Sequence, residues 1–428
     1  MSVKRIELTK GVYLNVVDTP KFKNNYLSVS FASPLSRETA SMNALLPLIL
    51  TRGTVSYPTM EKMSIALDTL YASTINTRCF KKGEIQFCGF NCGILNNSYA
   101  PDGCDIIGGT LDILHEVIFR PYLEDGVFSV KYLETEKQNL CDRIAAQINN
   151  KNSYAMQRAN EEMCKDEAYG ISSLGYAEDI EKVDADTLYK HYLELIDTAR
   201  VEIFFVGSYS EDIGDKIKST LDFKPREPIA LETKVIRKAS EIKNIQEPQP
   251  VTQAKLTLGF RTGKVLSDGD FYKFVVFNSI FSSSPTSKLF MNVREKLSLC
   301  YYCRSVPEPQ KGVMLVAAGI EKNNREKAYN EILNQLNDIV IGNISDDELL
   351  SAKSSILNSY RELDDSPEGM ENWYLGRMLA GMNDSPAEVS EQVMTVTKED
   401  ISSVAKEITL DTVYFMDPTL EGEAEDDE

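Results

Sequence analysis

The stretch Leu27-Ser-Val-Ser-Phe31 alternates apolar and polar side chains with a period of two, which is typical of a half-buried β-strand. The same alternation returns 229 residues later as Leu256-Thr-Leu-Gly-Phe260. A second pair of strand-like segments, 82–90 and 311–319, is separated by the same 229 residues. Two independent pairs of segments that share one offset indicate that the chain contains an internal duplication.

Helix-like segments occupy equivalent places in the two halves of the chain. In the first half they are predicted near 36–50, 60–71, 107–119, 126–150 and 184–196, and in the second near 269–281, 285–299, 325–340, 346–362 and 398–408. Each half then ends in an apolar strand, at 201–206 or 413–416. Runs of helices between such strands predict an α+β fold with two homologous tandem domains, each a mostly antiparallel sheet packed with helices.

The join between the two domains is predicted from its prolines. Pro225, Pro228, Pro248 and Pro250 lie among Lys and Glu residues without sustained periodicity, which favours a semi-extended linker over an ordered loop inside one domain. We therefore predict an N-terminal domain at 1–222, a linker at 223–254 and a C-terminal domain at 255–420. The last eight residues, 421–428, contain six acids and are predicted to form a solvated acidic tail.

Composition excludes several classes of function. The 428 residues are 42% hydrophobic and 26% charged, as in globular proteins, and 46 Lys and Arg against 65 Asp and Glu give a net charge of −19. A negative field repels phosphates and anionic lipids, so we expect neither nucleic acid nor a membrane as partner. The N-terminal segment lacks the apolar core of a signal peptide, so we expect a cytoplasmic protein with reduced cysteines.

Histidine and cysteine carry little recognisable chemistry here. The sequence has two histidines and lacks the phosphate-loop, dinucleotide, G-x-S-x-G and H-E-x-x-H motifs. We predict that both His115 and His191 are structural. The pairs Cys88/Cys92 and Cys300/Cys303 have C-x-x-x-C and C-x-x-C spacing, but neither shows the glycine-rich turn or basic neighbours of a reactive site. Buried thiols are the favoured interpretation, and a zinc or redox site is the alternative.

One block in the first half does resemble a known family. The stretch Ser41-Met-Asn-Ala-Leu-Leu-Pro-Leu-Ile-Leu-Thr-Arg-Gly-Thr54 resembles the N-terminal block of the insulinase/pitrilysin family, which includes the mitochondrial processing peptidases. Catalytic members read close to G-x-A-H-F-x-E-H-x-x-F-K-G-T there. With the Gly-Thr pair as anchor, Ala44 falls on the first histidine, Pro47 on the glutamate and Leu48 on the second histidine.

The third metal ligand of the family is a glutamate further along the chain, and Arg143 falls at that position. An open hydrolytic zinc site needs three N, O or S ligands and a base for the bound water. Ala, Leu and Pro supply none of these, and Arg143 adds a positive charge. The repeat supplies no replacement, since the equivalent positions hold Lys273, Val276 and Phe277. The resemblance therefore implies a homologue that binds no metal and is not a zinc peptidase by itself.

A second resemblance lies in the other half. The stretch that runs from Ser287 to Tyr301 is similar to the family segment R-E-x-x-G-L-A-Y, with Arg294 on its arginine and Tyr301 on its tyrosine. In two-subunit bacterial members, the subunit without the metal motif supplies this pair to its partner's active site. The resemblance implies that role for Arg294 and Tyr301. The family glycine is Ser298 here, which puts the local turn in question.

The resemblance spans nearly the whole chain and implies a function. The stretches 135–140, 151–155 and 162–165 look most like a bacterial noncatalytic subtype encoded beside a catalytic homologue. We therefore predict the noncatalytic subunit of a heteromeric zinc peptidase, in which the catalytic homologue holds the zinc and a peptide substrate binds extended along a sheet edge. The alternative is a non-hydrolytic peptide-binding or modification-accessory scaffold of the type associated with elongation factor P.

Overall fold

The computed structural model describes residues 3–209 and 212–419, so the predicted acidic tail at 421–428 lies outside the described residues. The strands are β1 (Lys4–Thr9), β2 (Val12–Asp18), β3 (Asn24–Pro34), β4 (Thr74–Lys82), β5 (Ile85–Leu95), β6 (Leu123–Glu124), β7 (Val127–Phe128), β8 (Arg200–Gly207), β9 (Lys243–Gln249), β10 (Ala254–Arg261), β11 (Cys300–Glu308), β12 (Val313–Ile320) and β13 (Thr409–Pro418).

The α-helices are α1 (Arg37–Leu50), α2 (Met60–Thr69), α3 (Ile106–Phe119), α4 (Val130–Ala145), α5 (Lys151–Met163), α6 (Ala177–Ile180), α7 (Ala185–Thr198), α8 (Ile213–Leu221), α9 (Phe271–Asn278), α10 (Arg325–Val340), α11 (Asp346–Glu362), α12 (Pro367–Leu379), α13 (Pro386–Thr395) and α14 (Lys398–Glu407). Two π-helical segments follow α9, at Ser279–Ser283 and Leu289–Lys296. The segment predicted as a helix at 285–299 is thus the second of these π-helical segments.

The chain divides into two compact units, each made of three stretches. The first consists of Met1–Ala145, Ile171–Glu232 and Ser366–Tyr374, and the second of Ala146–Gly170, Thr233–Asp365 and Leu375–Glu428. Each unit therefore takes one short stretch from the other half of the sequence. The domain boundaries predicted from the sequence are continuous ranges, in which neither half takes a stretch from the other. They remain a prediction.

The first unit contains a six-stranded sheet in the order β1-β2-β8-β3-β5-β4, in which only β2 and β8 run parallel. The second contains a five-stranded sheet in the order β11-β12-β10-β13-β9, in which only β9 and β13 run parallel. Without β1, the two orders and directions are the same. The predicted α+β fold with two mostly antiparallel sheets is confirmed.

The sheet of the first unit is buried on both faces at its centre. Leu27, Val29 and Phe31 of β3 point into the main apolar core, which α1, α3 and α7 also line. Ser28 and Ser30 point the other way and are also buried. The alternation in this strand predicted a half-buried strand, which is wrong because a second layer covers the polar face.

The covering layer of each sheet includes a helix that the sequence analysis did not predict. Helix α5 packs on β10, β12 and β13 in the second unit, where its small residues Ala155 and Ala159 are fully buried. Gly259 permits the approach, since a Cβ there would lie 2.6 Å from the Met163 sulfur. The stretch 366–374, which contains the first part of α12, belongs to the first unit.

The two helices occupy equivalent places in the repeat. Helix α12 begins 216 residues after α5, at Pro367 against Lys151, and α11 begins the same distance after α4, at Asp346 against Val130.

The predicted linker at 223–254 contains no helix or strand as far as residue 242, but it then forms β9, which pairs with β13. Among the described residues, no helix has both the length and the apolarity needed to cross a membrane.

Candidate functional site

Helix α1 carries three of the four positions where the metal motif is lost. Ala44 and Pro47 are buried, and Leu48 is half-buried. Proline has no N–H and usually disrupts a helix interior, yet α1 continues through Pro47 to Leu50. Arg143 lies in the last turn of α4, which packs against α1, and its side chain is exposed. Apolar packing has thus replaced the metal ligands on α1.

A buried hydrogen-bond network lies beside these positions. The Asn43 Nδ2 atom donates to Gln86 Oε1 at 2.9 Å and to Ser33 Oγ at 3.2 Å. His191 Nε2 lies 2.8 Å from Asn43 Oδ1. Because that oxygen is an acceptor, Nε2 carries the proton and donates. Burial lowers the pKa of His191, so the imidazole is neutral near pH 7. This arrangement agrees with the predicted structural role of His191.

Residues 171–175 also contact this hydrogen-bond network. They follow the stretch Ala146–Gly170, which belongs to the second unit. Gln86 Nε2 donates to the Ser173 carbonyl at 2.7 Å, and the Cys79 thiol donates to the same carbonyl at 3.0 Å. Gly175 lies against α1, where an added Cβ would be 2.1 Å from the Ser41 hydroxyl oxygen. Since Gly175 also has a φ of +72°, only glycine fits there without strain.

Two arginine side chains, Arg52 and Arg143, lie on or next to the helices that carry the altered positions. Burial raises the pKa of Cys79 to about 12, while the positive charge of Arg143 acts in the opposite direction. Arg52, two residues after the end of α1, forms an ion pair with the buried Glu136 of α4. Within residues 3–209 and 212–419, no three His, Cys, Asp or Glu side chains are grouped so that they could hold a metal ion. The donor set does not fit the zinc ion that catalytic members bind.

The second candidate region is the segment that leads into β11. Arg294 lies in the π-helical segment Leu289–Lys296, with its guanidinium carbon 4.8 Å from the centre of the Phe290 ring. Its side chain is 43% exposed. Ser298 has a φ of +49°, a left-handed conformation that glycine adopts most easily. Ser298 therefore has a backbone conformation that suits glycine, the residue of the family segment at this position.

Tyr301 is exposed because β11 contains a bulge. Cys300 pairs with Ile320 and Tyr302 pairs with Gly319, which leaves Tyr301 as an extra residue with no partner position on β12. Bulges commonly redirect a side chain. Tyr301 is 54% exposed, and its hydroxyl donates to Glu321 Oε1 at 3.1 Å.

Arg294 and Tyr301 are therefore both accessible within the second unit. Between them they offer guanidinium and phenol donors, which can bind peptide carbonyls. Glu321 was not predicted as the partner of Tyr301, because no motif connects residues on two neighbouring segments of the chain. No basic neighbour was predicted for Cys300, but a hydrogen bond from Cys303 lowers its pKa and the positive charge of Arg294 lowers it further. All eight cysteines are free thiols.

Comparisons with known proteins agree with these features. A family model described as the peptidase M16 inactive domain matches residues 182–356. The chain is 32% identical over 413 residues to the probable inactive metalloprotease YmfF of Bacillus subtilis, with 96% of each chain covered. A conserved protein from Enterococcus faecalis V583 has a TM-score of 0.89 and 28% identity, over 99% of this chain and 100% of that one. A peptidase M16 inactive domain from Pseudomonas fluorescens shares the fold, with a TM-score of 0.79, 17% identity, and coverage of 99% and 100%.

The duplicated fold and the altered metal positions define an inactive homologue of a metallopeptidase. The chain belongs to the peptidase M16 family, which confirms the resemblance to the insulinase/pitrilysin family seen in the sequence.

Proposed function

We propose that this chain is the noncatalytic subunit of a heteromeric zinc peptidase and forms a heterodimer with a catalytic M16 homologue. The partner would hold the zinc ion and the general base. This chain would contribute Arg294, Tyr301 and part of the substrate chamber. The observation that carries the proposal is the contrast between the two regions: α1 has lost every metal-binding side chain, whereas the segment around Arg294 keeps its turn and exposes both functional groups.

Strand β11 supports binding of an extended peptide. It is an edge strand of the sheet of the second unit, so its outer main-chain groups face away from β12. A peptide can add to such an edge through main-chain hydrogen bonds. Met291, Leu297 and Val306 are exposed apolar side chains close to Tyr301 in sequence, at 46%, 45% and 41% exposure. Exposed apolar groups of this kind favour contact with a peptide or a protein partner.

The location of the pair is part of the proposal. Eight free cysteines suit a reducing compartment, and we place the heterodimer in the cytoplasm. The negative net charge of −19 disfavours nucleic acid and membrane surfaces as competing partners.

Reconstitution tests the proposal. The chain is mixed with a catalytic M16 homologue from the same organism, and complex formation is measured by size-exclusion chromatography and peptide hydrolysis by a fluorogenic substrate. We expect a stable complex, with hydrolysis that neither chain shows alone. A complex that binds peptide without hydrolysing it would instead support the non-hydrolytic scaffold of the kind associated with elongation factor P. Failure to form any complex would contradict the subunit role.

A further inference from the structure

Cys300 and Cys303 are three residues apart on β11, yet both are buried, with 8% and 7% exposure. In a regular strand, residues three apart point to opposite faces. The bulge at Tyr301 shifts the pairing by one residue. Cys300 therefore pairs with Ile320 and Cys303 with Ala318, which are two residues apart on β12. The two thiols therefore point to the same face of the sheet.

The two sulfur atoms also interact. A hydrogen bond from Cys303 lowers the pKa of Cys300 against the effect of burial, and the positive charge of Arg294 lowers it further. The same hydrogen bond and burial raise the pKa of Cys303. A thiol with a lowered pKa beside one with a raised pKa, on the same face of a strand, is the arrangement of a reactive cysteine and its resolving partner.

A second cysteine pair provides an internal comparison. Cys79 and Cys88 are direct partners across β4 and β5. Burial raises the pKa of Cys79 to about 12 and places the pKa of Cys88 well above its usual range. These two thiols are near each other but are not activated, so proximity alone does not distinguish the two pairs.

We propose that Cys300 and Cys303 form a reversible dithiol–disulfide pair that hydrogen peroxide oxidises, with Tyr301 in the closed loop. The Cys300 thiolate attacks a peroxide oxygen, the O–O bond breaks, and the product is a sulfenic acid and hydroxide, which takes up a proton to become water. The Cys303 sulfur then attacks the sulfenic sulfur, an S–S bond forms and a second water leaves. Two thiols are oxidised and one peroxide is reduced to two waters.

The geometry favours a disulfide that is easily reduced again. Neighbouring residues on one face of a strand are two positions apart, so their Cα atoms are ~6.8 Å apart. The bulge gives Cys300 and Cys303 this relationship. Disulfides span Cα separations up to about 6.8 Å, so closure is at the upper limit and strained. Strained disulfides are the labile ones, and small thiols reopen them by exchange. Formation of the disulfide would bring Cys300 and Cys303 closer together, which would change the backbone of the bulge and move the Tyr301 side chain.

Peptide mapping tests the proposal without any partner protein. Trypsin releases residues 297–304, which contain both cysteines, from the intact chain. After mild peroxide treatment near pH 7, we expect this peptide to lose two hydrogens and to resist alkylation until a reductant is added. Cys79 and Cys88 should remain fully alkylated at the same peroxide concentration. Cys303→Ser should leave a sulfenic acid on Cys300 that dimedone traps, and Cys300→Ser should abolish the reaction.

The opposite pattern would overturn the inference. If residues 297–304 keep two free thiols at a peroxide concentration that already oxidises the half-buried Cys104 or Cys141, the pair is not a redox site. Dimedone labelling at Cys303 rather than Cys300 would also contradict it. Neither result would bear on assembly with a catalytic homologue, so this inference and the proposed function fail separately.

Discussion

Arg78 and Glu371 form a largely buried ion pair in the first unit, in which the Arg78 Nη1 atom lies 2.8 Å from each carboxylate oxygen of Glu371. The Tyr26 and Ser28 hydroxyls also donate to this carboxylate, at 2.6 and 2.8 Å. Glu371 belongs to the stretch 366–374 that comes from the second half of the sequence. A carboxylate with this many donors fixes that stretch on the polar face of the sheet.

In the second unit, a buried glutamate also fixes the stretch Ala146–Gly170, which comes from the first half of the sequence. Glu167 accepts from Arg261 Nη2 at 2.6 Å and lies 2.7 Å from Lys311 Nζ. All three side chains are almost fully buried. Arg261 also donates to Asp411 at 2.9 Å. Each exchanged stretch is therefore held by one buried glutamate that pairs with an arginine from a sheet strand.

Replacing Glu371 tests the first of these anchors. Glu371→Gln leaves Arg78 without its counter-charge, and breaking a buried pair in this way costs about 3 kcal/mol of unfolding free energy. Chemical denaturation of the variant measures the loss. Glu368→Gln is the matched control, because it removes the same charge from an exposed position on the same helix, and it should cost less than about 0.5 kcal/mol. Equal effects of the two variants would show that the ion pair does not hold α12.

The Glu167 anchor predicts a dependence on pH. Burial raises the pKa of Glu167, but hydrogen bonds from Arg261 and Lys311 outweigh burial and bring the pKa below its usual range. Its contribution to stability is therefore complete above the unfolded pKa of about 4.3 and is lost as pH falls through the folded pKa. We expect the melting temperatures of wild type and Glu167→Gln to differ by a constant amount from pH 7 to about 5 and to converge in more acidic solution. A gap that persists unchanged at low pH would contradict this.

Metal content provides a further prediction. With Ala44, Leu48 and Arg143 at the ligand positions, elemental analysis of the purified chain should find far less than one zinc ion per molecule. Because three ligands are needed, Ala44→His alone should not restore binding. Stoichiometric zinc that is lost in Cys88→Ser or Cys303→Ser would show that thiolates form a metal site instead.

Limited proteolysis tests the predicted linker. Residues 227–242 have no helix or strand and are mostly exposed, whereas β9 is paired with β13. Exposed irregular segments are the preferred sites of nicking. We expect early cleavage within 227–242 rather than within β9, and two large fragments as the first products. First cuts elsewhere in the described chain would contradict the linker prediction.

Local patterns were sufficient to predict the repeated elements. The offset of 229 residues connects β3 to β10, and it also connects Gly83 to Gly312, both of which adopt positive φ at the turn before the next strand. Most predicted helices were confirmed, since the spacing of their apolar residues follows the helical period, and the buried faces pack on a sheet strand, as in α1 and α3, or on another helix, as in α10 and α14. Helix α5 was missed because its buried residues are Ala155, Ala159, Asn160 and Met163, which are small, polar or flexible and so do not form a strongly apolar stripe. The four-residue spacing of Ala155, Ala159 and Met163 was the available signal.

The candidate site was predictable only in part. The loss of ligands at Ala44 and Leu48 follows from residue chemistry alone. The network of Asn43, Gln86 and His191 joins residues from a helix, a strand and a distant helix, so no sequence spacing could reveal it. The bulge at Tyr301 likewise depends on pairing between β11 and β12, which a single strand does not encode.

Peptide turnover by the reconstituted pair measures whether Tyr301 completes the active site of a catalytic partner, as we propose. Tyr301→Phe removes one exposed donor and should lower kcat by ~10²–10³-fold, the usual cost of losing a donor to the oxyanion, without changing assembly. Tyr302→Phe is the matched control, because the Tyr302 hydroxyl donates to Asn152 at 2.8 Å within the second unit, so its turnover should stay near wild type. Wild-type turnover by the Tyr301→Phe pair would contradict the claim.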